Sequence, residues 1–238
     1  MAALHSVVEH HGYTRQRAAA KDKQQRDGRV LQACIERDPA DLYSHFKLLE
    51  LARFWGDRAA GREHAAGVLR GLEGGKLRLE GQAFGGELVA LVARALHPEE
   101  PERALELIGR WSGRCAPSPA LWLARAELRE LSGDVEGAGA DFERCLGATD
   151  PTAQLVTTRP LLGLARLALA AGELGQARQL AAEALQGAPR DREALLLGLS
   201  LSLGRGKDEA LAFAEASGPP VDLLADAVGA SGRAWLAA

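Results

Sequence analysis

Apolar positions along this chain recur at helical spacing and nowhere alternate as a half-buried strand would. From Leu121, "LWLARAELRELSGDVEGAGADFERCL" sets Trp122, Ala126, Gly133, Ala138, Phe142 and Cys145 at successive offsets of 4, 7, 5, 4 and 3. From Leu161, "LLGLARLALAAGELGQARQLAAEALQGAP" sets Leu161, Ala165, Gly172, Ala177, Ala181 and Ala184 at the same offsets and closes on Pro189. Steps of 3 or 4 keep side chains on one helix face, and the longer step crosses a Gly-Asp or Gly-Glu reversal. Each stretch therefore predicts two helices joined by a tight turn. Small residues let the paired helices approach, and a large one such as Phe142 plugs the gap between neighbouring hairpins. β-Branched residues are scarce and never alternate, which leaves a sheet little raw material.

Three weaker copies fall into the same register. From Pro39, the slots hold Leu48, Ala52, Gly56-Asp57, Gly61, Ala65 and Val68; from Glu87 they hold Leu88, Leu91, Val92, Ala95, Ala104, Ile108 and Trp111, with a turn on Pro98 and Pro101. The last copy gives Leu195, Ala210 and Phe213 but needs one extra residue in its turn "GRGKDEA". The pattern resembles the tetratricopeptide repeat (TPR), a helix-turn-helix unit of about 34 residues. That resemblance implies an all-α, right-handed α-solenoid of antiparallel helix pairs. The expected organisation is a junction segment over 1-19, a helical array over 20-217 and a C-terminal capping helix over 218-238. Repeats fall at roughly 40-73, 85-117, 119-148, 158-190 and 192-217. "GLEGGKLRLEGQAFGG" and "GATDPTAQLVTTRP" are expected to lengthen two connections, the first as a flexible spacer.

Composition mainly excludes. Aromatic residues make up only 5%, with Ala, Leu and Gly abundant, which suits closely packed helices. A formal net charge of -3 with interspersed signs offers no field for phosphate backbones, so no nucleic-acid partner is expected. No apolar run reaches the ~18 residues of a membrane span, and no membrane insertion is expected. Cys34, Cys115 and Cys145 are odd in number and widely spaced, which suggests reduced thiols in a cytoplasmic chain.

The segment "HHGYTRQRAAAKDKQQRDGRVLQACIERDPADLYSHFKL" is similar to the junction in family 2 glycosyltransferases of GT-A type whose catalytic domain is followed by TPRs. The matching residues are His10, Gly12, Tyr13, Lys21, Arg26, Val30, Leu31, Asp38, Pro39, Asp41, Tyr43 and Phe46. Asp27 stands where that family usually has Asn, and Leu49 where repeats often have Gly. The resemblance implies that His10 could complete a divalent-cation shell beside an Asp-x-Asp motif, the cation neutralising charge on a leaving diphosphate. Nine residues before His10 supply no nucleotide-binding sheet, so His10 is expected to be a relic and this isolated chain no enzyme. No cofactor is expected; a divalent metal enters only if a catalytic domain is supplied.

No other catalytic arrangement is present. "GLEGGK" at Gly71 to Lys76 has the wrong spacing for a phosphate-binding loop, and Leu77 replaces the needed hydroxyl residue. "GRGKD" lies in a repeat turn, and His45 and His64 read as helix-packing residues. Function then falls to the inner face of the first helix of each pair. The register selects Tyr43, Phe46, Glu50 and Arg53 from the first repeat, Val89 from the second, Leu123 and Glu127 from the third, and Leu162 and Arg166 from the fourth. These would form an apolar seam flanked by mixed charge, able to hold a peptide or a short helix. The competing reading makes the seam inter-helix core, or surface covered by a neighbouring domain. The expected function is a non-catalytic protein or peptide interaction module, the C-terminal part of a glycosyltransferase or an adaptor for its catalytic domain. The alternative is a glycosyltransferase whose catalytic domain lies outside this chain.

Overall fold

The computed structural model describes residues 22–116, 118–148, 158–219 and 223. Among these residues the secondary structure is helical throughout, with α1 (Lys23–Arg37), α2 (Leu42–Trp55), α3 (Arg58–Glu73), α4 (Gly85–Leu96), α5 (Pro101–Trp111), α6 (Pro119–Leu131), α7 (Val135–Leu146), α8 (Thr158–Ala170), α9 (Leu174–Gly187), α10 (Arg192–Leu203) and α11 (Lys207–Ser217). A single 3-10 turn, Ser112–Arg114, follows α5.

Local chemistry explains where these helices begin and reverse. Asp41, Asp57, Asp134 and Asp191 each stand just before a helix and accept a hydrogen bond from the backbone N–H three residues on, satisfying an otherwise orphaned donor. Pro101 and Pro119 open α5 and α6, where a missing N–H costs nothing. Gly133 and Gly172 reverse the chain inside two hairpins at φ 80° each, a backbone conformation that a side chain would strain.

Five hairpins result: α2/α3, α4/α5, α6/α7, α8/α9 and α10/α11. The first helices α2, α4, α6, α8 and α10 stack on one another in order, and each second helix also packs on the next hairpin's first helix. This two-layer arrangement is an α-solenoid. α1 lies against α2 in the place of a preceding second helix, with no fully buried residue of its own. The core runs as adjoining clusters, from Leu42 through Leu128, around Phe142, and from Leu161 through Phe213. Most small positions read from the repeat are buried: Ala65, Ala104, Ala126, Ala138, Ala165, Ala177, Ala181 and Ala184 have no exposed surface, whereas Ala95 is half-buried.

One connection differs from expectation. The stretch after α3 is anchored rather than flexible, because Leu77 and Leu79 are buried in the first core cluster. Leu77 sits so close over Gly71 that a Cβ there would collide with its side chain. The apolar content of "KLRLEG" is therefore core material, and burying two leucines outweighs the freedom of the flanking glycines. The junction over 1–19, including His10, lies outside the described residues, and so does the expected cap beyond Pro219 apart from Leu223.

Candidate protein-docking surface

The inner surface is formed by α2, α4, α6, α8 and α10, and the structure divides the nine residues selected for it into three groups. Val89, Leu123 and Leu162 are 1%, 5% and 1% exposed, and Phe46 is 8% exposed. These four are inter-helix core, a correction to the expected open seam. Their register position faces the adjacent first helix, and the small residues beside them bring neighbouring helices too close for a groove to open there.

Glu127 and Arg166 belong to the second group, a set of ion pairs that ties successive first helices together. Glu127 of α6 accepts from Arg94 of α4 at 2.9 Å and from Arg159 of α8 at 2.6 Å. Arg166 of α8 forms a two-pronged contact with Glu130 of α6 at 2.7 and 2.8 Å and reaches Glu193 of α10 at 2.7 Å. The hydrogen bond to the Glu130 carboxylate holds the Arg166 guanidinium above its ordinary range despite partial burial. Glu127 and Arg166 occupy the same repeat position with opposite charge, so each finds partners on both neighbours. The repeat register also places Glu130 on the inner face of the third repeat, whereas Arg94 and Glu193 are not expected there. Arg94 and Glu193 sit at different repeat positions, so no single register position points to them.

The third group sits on the first hairpin and stays accessible. Tyr43 is 53% exposed and meets Phe84 edge-on at 5.7 Å, while Phe46 stacks on Phe84 at 5.0 Å. Lys47 lies over the Tyr43 ring at 5.7 Å and pairs with Glu50 at 2.5 Å. Arg53 is exposed, and among the described residues no ion pair engages it. Phe84 lies in the connection before α4, outside the repeat register, which is why sequence reasoning passed over it.

Beside Arg53 a cleft of about 620 Å³ opens between the first hairpin and α4. Leu49, Ala52, Leu91 and Ala95 contribute its apolar lining, and Arg53, Arg58, Arg62 and Arg94, with Asp57 and Glu99, its charged lining. Arg94 is engaged by Glu127, and Arg62 pairs with Glu99. The Nε2 atom of His97 is buried there without a hydrogen-bond partner.

Among the described residues, no group of three or more His, Cys, Asp or Glu side chains is gathered in a metal-binding arrangement. The three cysteines are unpaired, and burial pushes the thiols of Cys115 and Cys145 up to about 11 and about 12, well away from thiolate chemistry at neutral pH. No described helix is long and apolar enough to cross a membrane.

With the hairpin stack and its inner face described, the chain can be set beside known proteins. It is an α-solenoid with the architecture of TPR proteins. The crystal structure of PilW, a widely conserved type IV pilus biogenesis factor, superposes with a TM-score of 0.64 over 83% of this chain and 86% of that one, at 15% identity. MamA superposes with a TM-score of 0.51 over 73% of this chain and 87% of its own, at 13% identity. At such identities the likeness carries the fold alone. No family model matches the chain, and no curated protein does.

Proposed function

We propose that this chain is a non-catalytic TPR-type module that docks a protein or peptide partner at the N-terminal end of its inner surface. One observation carries this reading. From the second hairpin to the fifth, the charges facing the stack are spent on one another, whereas the first hairpin presents the exposed Tyr43 ring and Arg53 beside an open cleft. An exposed aromatic and an unengaged guanidinium on one helix are the residue types that anchor protein interfaces. No cofactor is required for such a role, and the three unpaired cysteines favour a reducing, cytoplasmic setting. Tyr43→Glu and Arg53→Glu should each lower capture of crosslinked partners by at least about tenfold, the 1.4 kcal/mol scale of one interface anchor. Leu131→Glu, at a position 70% exposed on the turn between α6 and α7, should not. Identical capture by all variants would sink the reading.

The partner we favour is a glycosyltransferase catalytic domain, in the same polypeptide or separate. What supports this is the junction resemblance that runs from His10 to Phe46, ending on the Asp41 cap that begins α2. An in-frame domain with an Asp-x-Asp motif upstream of Met1 would favour a fragment, and a separate neighbouring gene an adaptor. Incubated alone with nucleotide sugars and Mn²⁺, the chain should neither hydrolyse sugar nor gain thermal stability, and His10→Ala should behave as wild type. Metal stabilisation that vanishes in that variant would make the histidine part of a live site and reverse the non-catalytic assignment.

A further inference from the structure

The cleft between the first and second hairpins carries a charge pattern that folding alone does not account for. Its four arginines differ in circumstance. Arg62 and Arg94 are neutralised by Glu99 and Glu127, but among the described residues Arg53 and Arg58 have no ion-pair partner. Arg58 is the first residue of α3, where the positive end of the helix dipole disfavours a cation, so helix stability gives no reason for it. Asp57, next to it, is already committed to capping the Ala60 N–H.

The wall between these charges is apolar, and it contains one orphaned polar atom. Ala95 is half-buried and offers carbon surface, backed by Leu49, Ala52 and Leu91 at 2%, 6% and 7% exposed, and the His97 Nε2 atom lies buried with nothing to bond. The space exists because the facing residues are small, Ala52 and Gly61 on the first hairpin and Ala95 on α4. Elsewhere in the stack a ring closes such a gap, as Phe142 does against Gly163.

We propose that this cleft binds an acidic peptide segment of a partner protein, seating an aliphatic side chain on the Leu91/Ala95 wall and Asp or Glu carboxylates on Arg53 and Arg58. The proposal rests on the reading that the first hairpin is the docking end, and it names the chemistry docked there. Arg53 and Arg58 lie on different helices, either side of the Gly56 turn, so two carboxylates spaced along a chain match them better than one terminal carboxylate. An inorganic anion would leave the apolar wall unused. A nucleic acid is disfavoured by the net charge of -3.

The test uses the full chain and fluorescent, end-capped peptides alternating Leu with Glu. The Glu-containing set should bind, and replacing Glu by Gln or Leu by Ala should weaken binding by about tenfold or more, the scale of one lost anchoring contact. Arg53→Glu/Arg58→Glu should lose the same factor, whereas Arg70→Glu, a matched change on the exposed side of α3, should not. Both cleft positions are exposed, so the double variant keeps its helical circular dichroism, and a second pair, Arg53→Ala/Arg58→Ala, repeats the measurement without reversing charge. Raising salt from about 50 to about 500 mM should weaken binding, as screening requires. Equal binding of Glu and Gln peptides, no binding by any of them, or an unaffected double variant overturns the proposal. So does competition by inorganic phosphate combined with indifference to the Leu-to-Ala change, which would mean a small-anion site. A dimer that the double variant dissolves, without peptide binding, would assign the cleft to a second copy and equally overturn it. If the peptides fail while Tyr43→Glu still abolishes partner capture, the cleft assignment falls and the docking role stands.

Discussion

The ring of Phe142, fully buried on α7, lies directly on the bare backbone of Gly163 on α8, occupying the space a Cβ would need. This one contact joins the third hairpin to the fourth and explains why a glycine is accepted in the middle of a helix, where it ordinarily costs about 1 kcal/mol. Gly163→Ala should therefore destabilise by about 1–3 kcal/mol through overpacking, despite alanine's better helix propensity. Gly175→Ala, on α9 with open space around it, should instead stabilise by about 0.5–1 kcal/mol. Urea unfolding checks both. A Phe142→Leu change should relieve part of the Gly163→Ala penalty, and two simply additive losses would refute the contact.

Ala138 and Ala177 have no exposed surface, each lying at the closest approach of two helices in its hairpin. A leucine at either position should cost about 1–3 kcal/mol, and in a chain of this size each kcal/mol lowers the melting temperature by about 2–4 °C. Glu136→Leu, exposed in the first turn of α7, should leave the melt nearly unchanged.

These alanines also show what a linear sequence can disclose. The hairpins were legible because each turn and each close approach constrains residues within one repeat, so Gly133 with Ala138 and Gly172 with Ala177 announce themselves at fixed spacing. The inner face was less legible because it depends on how far apart successive first helices settle. Val89, Leu123 and Leu162 could read equally as groove or core, and the closeness that small neighbours permit decided for core. Leu77, Leu79 and Phe84 follow no register at all, since the connection carrying them folds back by tertiary packing. The pairing of Glu127 with Arg94 and Arg159 joins residues more than 30 positions apart, and no local pattern announces it.

Asp141 is 3% exposed and receives Arg125 at 2.7 and 2.5 Å and Arg129 at 2.8 Å, an arrangement that links α6 to α7 inside one hairpin. The Asp141 hydrogen bond raises the Arg125 pKa above its ordinary value. Asp141→Ala strands Arg125 against the core, while Arg129 keeps Asp134 and the Gly137 carbonyl, and should cost about 2–4 kcal/mol. That is somewhat less than a fully buried pair, because the arginine side chains keep 23% and 31% of their exposure. Asp141→Asn should recover part of this by accepting one hydrogen bond. A loss below about 0.5 kcal/mol for the alanine variant in urea would show the cluster to be dispensable.

Arg166 and Glu130 provide a measurable unit of hairpin-to-hairpin coupling. A double-mutant cycle with Arg166→Ala and Glu130→Ala should give about 0.5–1.5 kcal/mol, above the usual exposed pair because the contact is two-pronged. Arg166→Lys should lose most of it, since an ammonium cannot reproduce the planar fork. Coupling indistinguishable from zero in low salt would remove the ion pairs from any role in holding the stack together.

His64 on α3 makes stability depend on pH in a direction that can be worked out. Burial is the largest influence on its imidazole and lowers the pKa from 6.5; His45 also lowers it, while Glu63 and Asp57 oppose the shift without reversing it. The unfolded chain therefore takes up the proton first as pH falls. Stability from this group is whole above about pH 6.5 and drains away as pH drops from there toward the lower folded value. Asp41 acts in the same sense further down: its Ser44 hydrogen bond lowers the carboxyl pKa below 3.8, so the cap it supplies is lost only as pH falls through that acidic range. Melting temperatures measured between pH 7.5 and about pH 3 should decline on the acid side, and His64→Gln, which cannot titrate, should flatten the part of the decline nearest pH 6 while leaving the Asp41 part, below about pH 4, intact. A His64→Gln profile parallel to wild type across that window would place the titrating group elsewhere.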